Sequence, residues 1–239
     1  GPDPAFLSTT PRYLQIMNKN IAQYQLRFFL GLAVLLSLTL NSCHTKGKKR
    51  KEVGLSSGVS KELADYRKEV LSHISYQIDY DIPKDRLEKI QASATIQFDY
   101  QDSLDMPIQI DFKQIGDAGL QKMTINDLQT VPNYQKEHII IDPGQLKKGT
   151  NTIAFVFQPG EEALNRRADY MYTLFVPDRA RTALPCFDQP DLKAVFKLTL
   201  HIDTSWQAVA NGKLLDSVVN GSRKTLHFAP SDTISTYLF

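Results

Sequence analysis

An all-β domain, built as an antiparallel β-sandwich or saddle-like sheet and preceded by a short amphipathic helix, is the fold class that this sequence predicts. Three observations carry it: long stretches with a hydrophobic period of two, turn dipeptides between them, and one stretch of helical period ahead of them. The helix comes first. Val59, Leu63, Tyr66 and Val70 recur at i, i+4, i+7 and i+11 with charges between them, one apolar stripe along about three turns. From residue 74 the period changes to two. Ile74, Tyr76, Ile78, Tyr80 and Ile82 alternate with polar residues, as do Ile90, Ala92, Ala94, Ile96, Phe98 and Tyr100, and then Ile108, Ile110 and Phe112. Such alternation puts one face of a strand on a core and the other in water. Shorter strands are expected at 120–125, 138–141, 152–157, 170–175, 195–202, 207–210 and 225–228. Asp142-Pro143-Gly144, Gln158-Pro159-Gly160, Asn211-Gly212 and Asn220-Gly221 supply turns between them.

The 239 residues are 42% hydrophobic and 23% charged, and the formal net charge is +2. That balance suits one folded core and gives no reason to expect a nucleic-acid partner. Much of the positive charge sits in one run, Lys46 to Lys51.

The chain before the helix has its own organisation. Residues 1–16 contain no Met and are expected to be non-native sequence or upstream read-through. From Met17, the cations Lys19 and Arg27 precede an apolar stretch at 28–40. As a helix this stretch spans about 20 Å, short of the roughly 30 Å of bilayer hydrocarbon, so a signal peptide is expected at 17–42. Leu40-Asn41-Ser42-Cys43 resembles a bacterial lipobox, which implies lipid on Cys43 and an anchored protein of the bacterial cell envelope, facing the periplasm or the exterior. Residues 43–60 are basic and bear Gly and Ser, the composition of a flexible tether. The domain proper is expected at 61–239. Its last residues, 235–239, read as a strand with no turn after it, as in a domain cut inside an element.

The stretch 173–200 reads TLFVPDRARTALPCFDQPDLKAVFKLTL. It resembles a signature of the aminopeptidase N family of zinc exopeptidases, T-Q-F-x-P-x-x-A-R-x-x-F-P-C-F-D-E-P-x-x-K-A-x-F. The match is ungapped at Thr173, Phe175, Pro177, Ala180, Arg181, Pro185, Cys186, Phe187, Asp188, Pro190, Lys193, Ala194 and Phe196. The resemblance implies the family's N-terminal β domain, with zinc held by a catalytic domain further along the parent protein. It implies that peptide substrates and that downstream domain are the partners. It also implies that the residue after Thr173 lines the first specificity pocket. The family has Gln or Glu there, and this chain has Leu174, which cannot accept a hydrogen bond from an ammonium. Leu174 therefore reads either as a more apolar pocket lining or as a core Leu in a strand. Pro185, Cys186, Phe187, Asp188, Pro190 and Lys193 read as architecture: two prolines bracketing a rigid turn, a buried inert thiol, and an Asp that binds its own turn.

No metal site is expected in this chain. The histidines are at 44, 73, 138, 201 and 227, none opens His-Glu-x-x-His, and Glu137-His138 sits in a short apolar strand. No Gly-x-Ser-x-Gly or phosphate-binding glycine loop is present. Two functions stay open. One is the non-catalytic N-terminal domain of a membrane-anchored zinc aminopeptidase, inactive alone and binding no zinc itself. The other is a stand-alone lipid-anchored sandwich that binds peptides or proteins without catalysis.

Overall fold

A computed structural model describes residues 53–101, 106–114 and 119–239. The expected signal peptide, Cys43 and the tether up to residue 52 lie outside the described residues.

Helix α1 (Lys61–Val70) starts where Ser60 accepts the Leu63 N–H at 3.1 Å. Glu62 lies in its first turn and Arg67 and Lys68 in its last, each matched to the helix dipole. Its buried face carries Leu63, Tyr66 and Val70 as the period predicts, and also Arg67, whose side chain is wholly enclosed.

Strand β1 (Leu71–Asp81) follows at once and pairs antiparallel with β2 (Gln91–Tyr100). Next come β3 (Ile108–Asp111), β4 (Leu120–Ile125), β5 (Leu128–Thr130), β6 (Asn133–Gln135), β7 (His138–Ile141) and β8 (Gly149–Phe157). The later strands are β9 (Leu164–Arg166), β10 (Met171–Thr173), β11 (Val195–Asp203), β12 (Leu214–Asn220) and β13 (Arg223–Phe228). The main sheet runs β12-β13-β11-β1-β2-β8-β4-β5, beside a three-stranded sheet β3-β7-β6 and the ribbon β10-β9. Inward residues of β1, β2, β8 and β11 join α1, β3 and β7 in a single apolar cluster.

Four expectations shift. The pair β1–β11 is parallel, with Tyr76 opposite Phe196 and Tyr80 opposite Leu200, so the sheet is mixed. The chain reaches β11 from β10 through the long 174–194 segment rather than a hairpin, which frees its direction. Residues 207–210 form no strand, because no described strand lies beside them to complete a ladder. The run 170–175 contracts to β10, and 235–239 contains a 3₁₀ turn (Thr236–Leu238) in place of a strand.

Two tight hairpins went unread. Asn126 and Asp127 take φ of 48° and 68° between β4 and β5, a conformation those residues tolerate. Lys136 and Glu137, at 51° and 65°, do the same between β6 and β7 with no such preference. The Asn220-Gly221 turn forms as read, with Gly221 at φ 59°. At the other Asn-Gly pair, any Cβ on Gly212 would lie 1.8 Å from the Ala229 carbonyl oxygen, so only glycine fits.

Arg67 and Asp111 form a two-pronged ion pair, Nη2–Oδ1 at 2.6 Å and Nη1–Oδ2 at 2.9 Å, with both side chains wholly buried. Removing one partner leaves the other charge stranded in the core. Arg67→Ala is expected to cost about 3–5 kcal/mol in urea unfolding. Lys61→Ala, which removes an exposed pair with Asp65, should leave the midpoint in place.

Candidate functional site

The signature turn is built around that ion pair. Asp111 and Cys186 exchange backbone hydrogen bonds at 2.8 and 3.0 Å, which lays the turn along β3. The Phe187 N–H donates to the Tyr76 hydroxyl at 3.0 Å, and the Asp188 N–H donates to Asp111 Oδ2 at 2.7 Å. The Phe187 ring lies 5.3 Å from the Arg67 guanidinium and meets Phe98 edge-on. His138, from β7, places Nδ1 2.8 Å from Asp111 Oδ1 and Nε2 2.7 Å from the Ser56 carbonyl.

Burial by itself would raise the Asp111 carboxyl; the Arg67 charge, His138 and the Asp188 N–H outweigh it and hold the group below the ordinary carboxylate range. Asp188 goes the other way. Burial pushes it up to about 6, against the Arg181 N–H that favours its charge and with the help of the nearby Asp111 charge. It does not bind its own turn as expected. Oδ2 accepts the Arg181 N–H at 3.0 Å and Oδ1 accepts the Thr236 hydroxyl at 3.2 Å. The Cys186 thiol is fully enclosed, and burial, then the Asp188 and Asp111 charges, push it well above its ordinary range. Such a thiol is a poor nucleophile. Pro190 and Lys193 sit exposed at the end of the turn.

Thr173 and Leu174 stand on a different surface. Thr173 ends β10 and its hydroxyl donates to the Phe239 carbonyl at 3.3 Å. The Leu174 N–H donates to the Ala163 carbonyl at 2.9 Å, while its side chain is 45% exposed, so it is not a core Leu. Phe175, next in sequence, is buried and anchors the wall from behind. A column of rings backs it: Tyr76 on Phe196 at 4.8 Å, Phe196 on Phe239 at 4.7 Å, and Phe239 beside Phe175 at 6.3 Å.

In front of the column an open groove of about 630 Å³ runs between β10, β11 and residues 205–211. Leu198, Leu200, Tyr170, Tyr172 and Trp206 are among its apolar lining. Val209 is 97% exposed at its rim, near Leu174 and Leu238 on the adjoining shallow hollow. Residues 209–211 line both, with Asn211 Nδ2 donating to the Leu238 carbonyl at 2.9 Å. The sequence reading missed the groove, since its lining comes from six separated stretches. The apolar run Ala208-Val209-Ala210 was the available signal, and it reads as a short strand.

Fold and surface together define a β-domain that presents an open apolar wall rather than an enclosed pocket. The chain belongs to the peptidase M1 N-terminal domain family, whose family model matches residues 72–238. Aminopeptidase M1 of Arabidopsis thaliana is 41% identical over 66 residues, covering 28% of this chain and 8% of that protein. Aminopeptidase M1-A of Oryza sativa subsp. japonica is 39% identical over the same length, again 8% of the protein. The chain thus spans less than a tenth of those relatives in the matched stretch. Among solved structures, the M1 zinc metallopeptidase of Deinococcus radiodurans superposes with TM-score 0.58 at 19% identity, over 70% of this chain and 41% of that one. Legionella pneumophila aminopeptidase A in complex with aspartic acid gives 0.62 at 17%, over 73% and 21%. At these identities the structures establish the shared fold.

Zinc is named for the Deinococcus neighbour, and the described residues here do not fit it. Among them no three His, Cys, Asp or Glu side chains converge on a point. The four described histidines are each engaged elsewhere: His73 with Asp99, His138 with Asp111, His201 with Asp79 and Thr225, and His227 with Thr199.

Leu174→Gln changes an exposed side chain and should shift stability by less than about 0.5 kcal/mol. Phe175→Ala empties a buried ring position and should cost about 3–5 kcal/mol. Urea unfolding of the two variants beside the unaltered chain separates wall from core.

Proposed function

We propose that this chain is the N-terminal domain of a membrane-anchored zinc aminopeptidase that removes N-terminal residues from peptides in the cell envelope. On this reading the domain does not itself catalyse. It closes one side of the cleft with the Thr173–Leu174 wall, and a downstream catalytic domain supplies zinc and packs on the apolar groove. The observation that carries the reading is Leu174: the residue after the signature Thr is solvent-facing just past the end of β10, beside a groove lined by apolar side chains. Membership of the M1 N-terminal family and the small share of the M1 aminopeptidases that the chain spans support a larger parent. An apolar side chain at that wall favours peptides whose first residue is apolar, and leaves the terminal ammonium to carboxylates elsewhere. Lipid on Cys43, with the basic residues behind it as a tether, supplies the anchor.

The test is expression of the gene in frame past the Phe239 codon, with aminoacyl-anilides as substrates. Hydrolysis that a chelator abolishes and zinc restores is expected of the whole protein, and none from residues 53–239 alone. Leu174→Gln in the whole protein should lower KM for substrates with polar first residues by several-fold, and Cys43→Ala should move the protein from the membrane to the soluble fraction. A stop codon after Phe239, or a whole protein without hydrolysis, sinks the enzymatic reading in favour of a stand-alone binding module.

A further inference from the structure

We propose that Asp188 is a positioning residue for the Thr173–Leu174 wall: its carboxyl fastens residues 235–239 behind the wall, and ionisation of that carboxyl loosens them. The importance for peptide binding rests on the function proposed above; the fastening itself does not.

Residues 235–239 are held at two ends. At the signature turn, the Thr236 hydroxyl donates to Asp188 Oδ1 and the Ser235 hydroxyl donates to the Pro190 carbonyl. Just upstream, Ile234 and Ala194 exchange backbone hydrogen bonds, both at 2.9 Å, which supplies a hinge. At the wall, the Phe239 carbonyl accepts from Thr173 and the Leu238 carbonyl from Asn211, while the Phe239 ring fills the aromatic column. Thr236 is itself buried, so its side chain is part of what seals Asp188, which is only 3% exposed. Lifting the segment therefore does two things at once. It hydrates Asp188 and removes the ring that backs the wall.

Burial fixes the sign, and the charged surroundings act on it in both directions. Arg181, from the 3₁₀ turn Ala180–Thr182, gives Asp188 its N–H and holds its guanidinium 3.5 Å away. That guanidinium is shared with Asp178 and Glu137. Asp111 of β3 repels the carboxylate, with its own charge answered by Arg67 of α1 and His138 of β7. Thr236, the contact from residues 235–239, carries no charge, and its hydroxyl, donating to Oδ1, favours the ionised form. In the docked state burial, aided by the Asp111 charge, outweighs the Arg181 N–H, the Arg181 charge and the Thr236 hydroxyl, and Asp188 is pushed up to about 6. Released into water it reverts toward the ordinary carboxylate value of about 3.9. The docked form thus binds the proton more tightly, so docking strengthens as pH falls through 6 and weakens as pH rises. The docked-to-released ratio changes by at most about 100-fold across that window.

Hydrogen exchange of the chain tests this, with protection factors for the Ile234 and Leu238 amides corrected for intrinsic exchange. Protection at pH 5 should exceed that at pH 7.5 by about tenfold or more. Asp188→Asn, which keeps the shape without the charge, should flatten the profile at the low-pH level. Equal protection at both pH values, or an unchanged profile in Asp188→Asn, overturns the proposal. If that variant fails to fold, the Asp188 carboxyl carbon in the unaltered chain decides: an NMR midpoint near 6 supports the fastening, and one near 4 overturns it. None of these readouts needs substrate or a catalytic domain, so failure of the aminopeptidase reading would leave them standing.

Discussion

The buried pair between Arg67 and Asp111 is the interaction on which the rest of the structure depends. Two charges removed from water carry a desolvation cost of several kcal/mol each, which is offset because both Arg67 Nη atoms and both Asp111 oxygens are answered, although Arg67 Nε is not. Arg67 Nη2 also donates to the Gln109 carbonyl at 2.6 Å and Nη1 to Gln189 Oε1 at 3.3 Å, while Asp111 takes the Asp188 N–H and faces His138. The partners come from four elements, so one cluster fixes α1, β3, β7 and the signature turn relative to one another. Hydrophobic burial holds these pieces together without fixing their register, because apolar contact is non-directional. A forked guanidinium on a carboxylate has one geometry. That is the reason a charged pair stands where apolar side chains of equal volume would pack without the desolvation cost.

The main strands were legible because their inner faces meet one core. β1, β2 and the start of β11 alternate as read, and α1 begins and ends within two residues of the apolar stripe. What escaped has particular causes. β12 has no alternation to detect, since every residue from Leu214 to Asn220 is exposed. Residues 207–210 alternate in exposure and still form no strand, because alternation reports which side is buried and says nothing of a neighbour to pair with. The Lys136-Glu137 hairpin takes left-handed backbone at two residues that do not favour it, a tertiary demand that local propensity does not record.

The signature was legible as a string, and its mechanics were not. Asp188 reads as a turn-former because Asp commonly binds its own backbone, yet its partner Thr236 lies 48 residues away. Arg67 reads as one of the charges beside the stripe. The signal was present all the same: it falls four residues after Leu63 and one after Tyr66, inside the buried arc. For Leu174, strand alternation was uninformative, because β10 ends at Thr173 and the next side chain points where the chain turns rather than where a sheet would send it.

Asp111 and Asp188 are joined by a single hydrogen bond and stand on opposite sides of the ordinary carboxylate value, and this makes acid act on the domain in two directions. Asp188 is raised to about 6, so between that pH and the unfolded value near 4 the folded chain takes up a proton that the unfolded chain does not, and acidification stabilises it. Asp111 is lowered, so its contribution is complete above the unfolded value and is lost as pH falls through its lower folded one. The two windows meet near pH 4 without overlapping much. Mild acid tightens the signature turn against residues 235–239 while the ion pair is still intact; stronger acid then removes the charge on which α1, β3 and the turn converge. The same adjacency explains why neither group can be exchanged for the other's role. The N–H of Asp188 helps keep Asp111 charged, and the charge on Asp111 helps keep Asp188 neutral, so the architecture of the core and the tension of the wall are set by one shared contact.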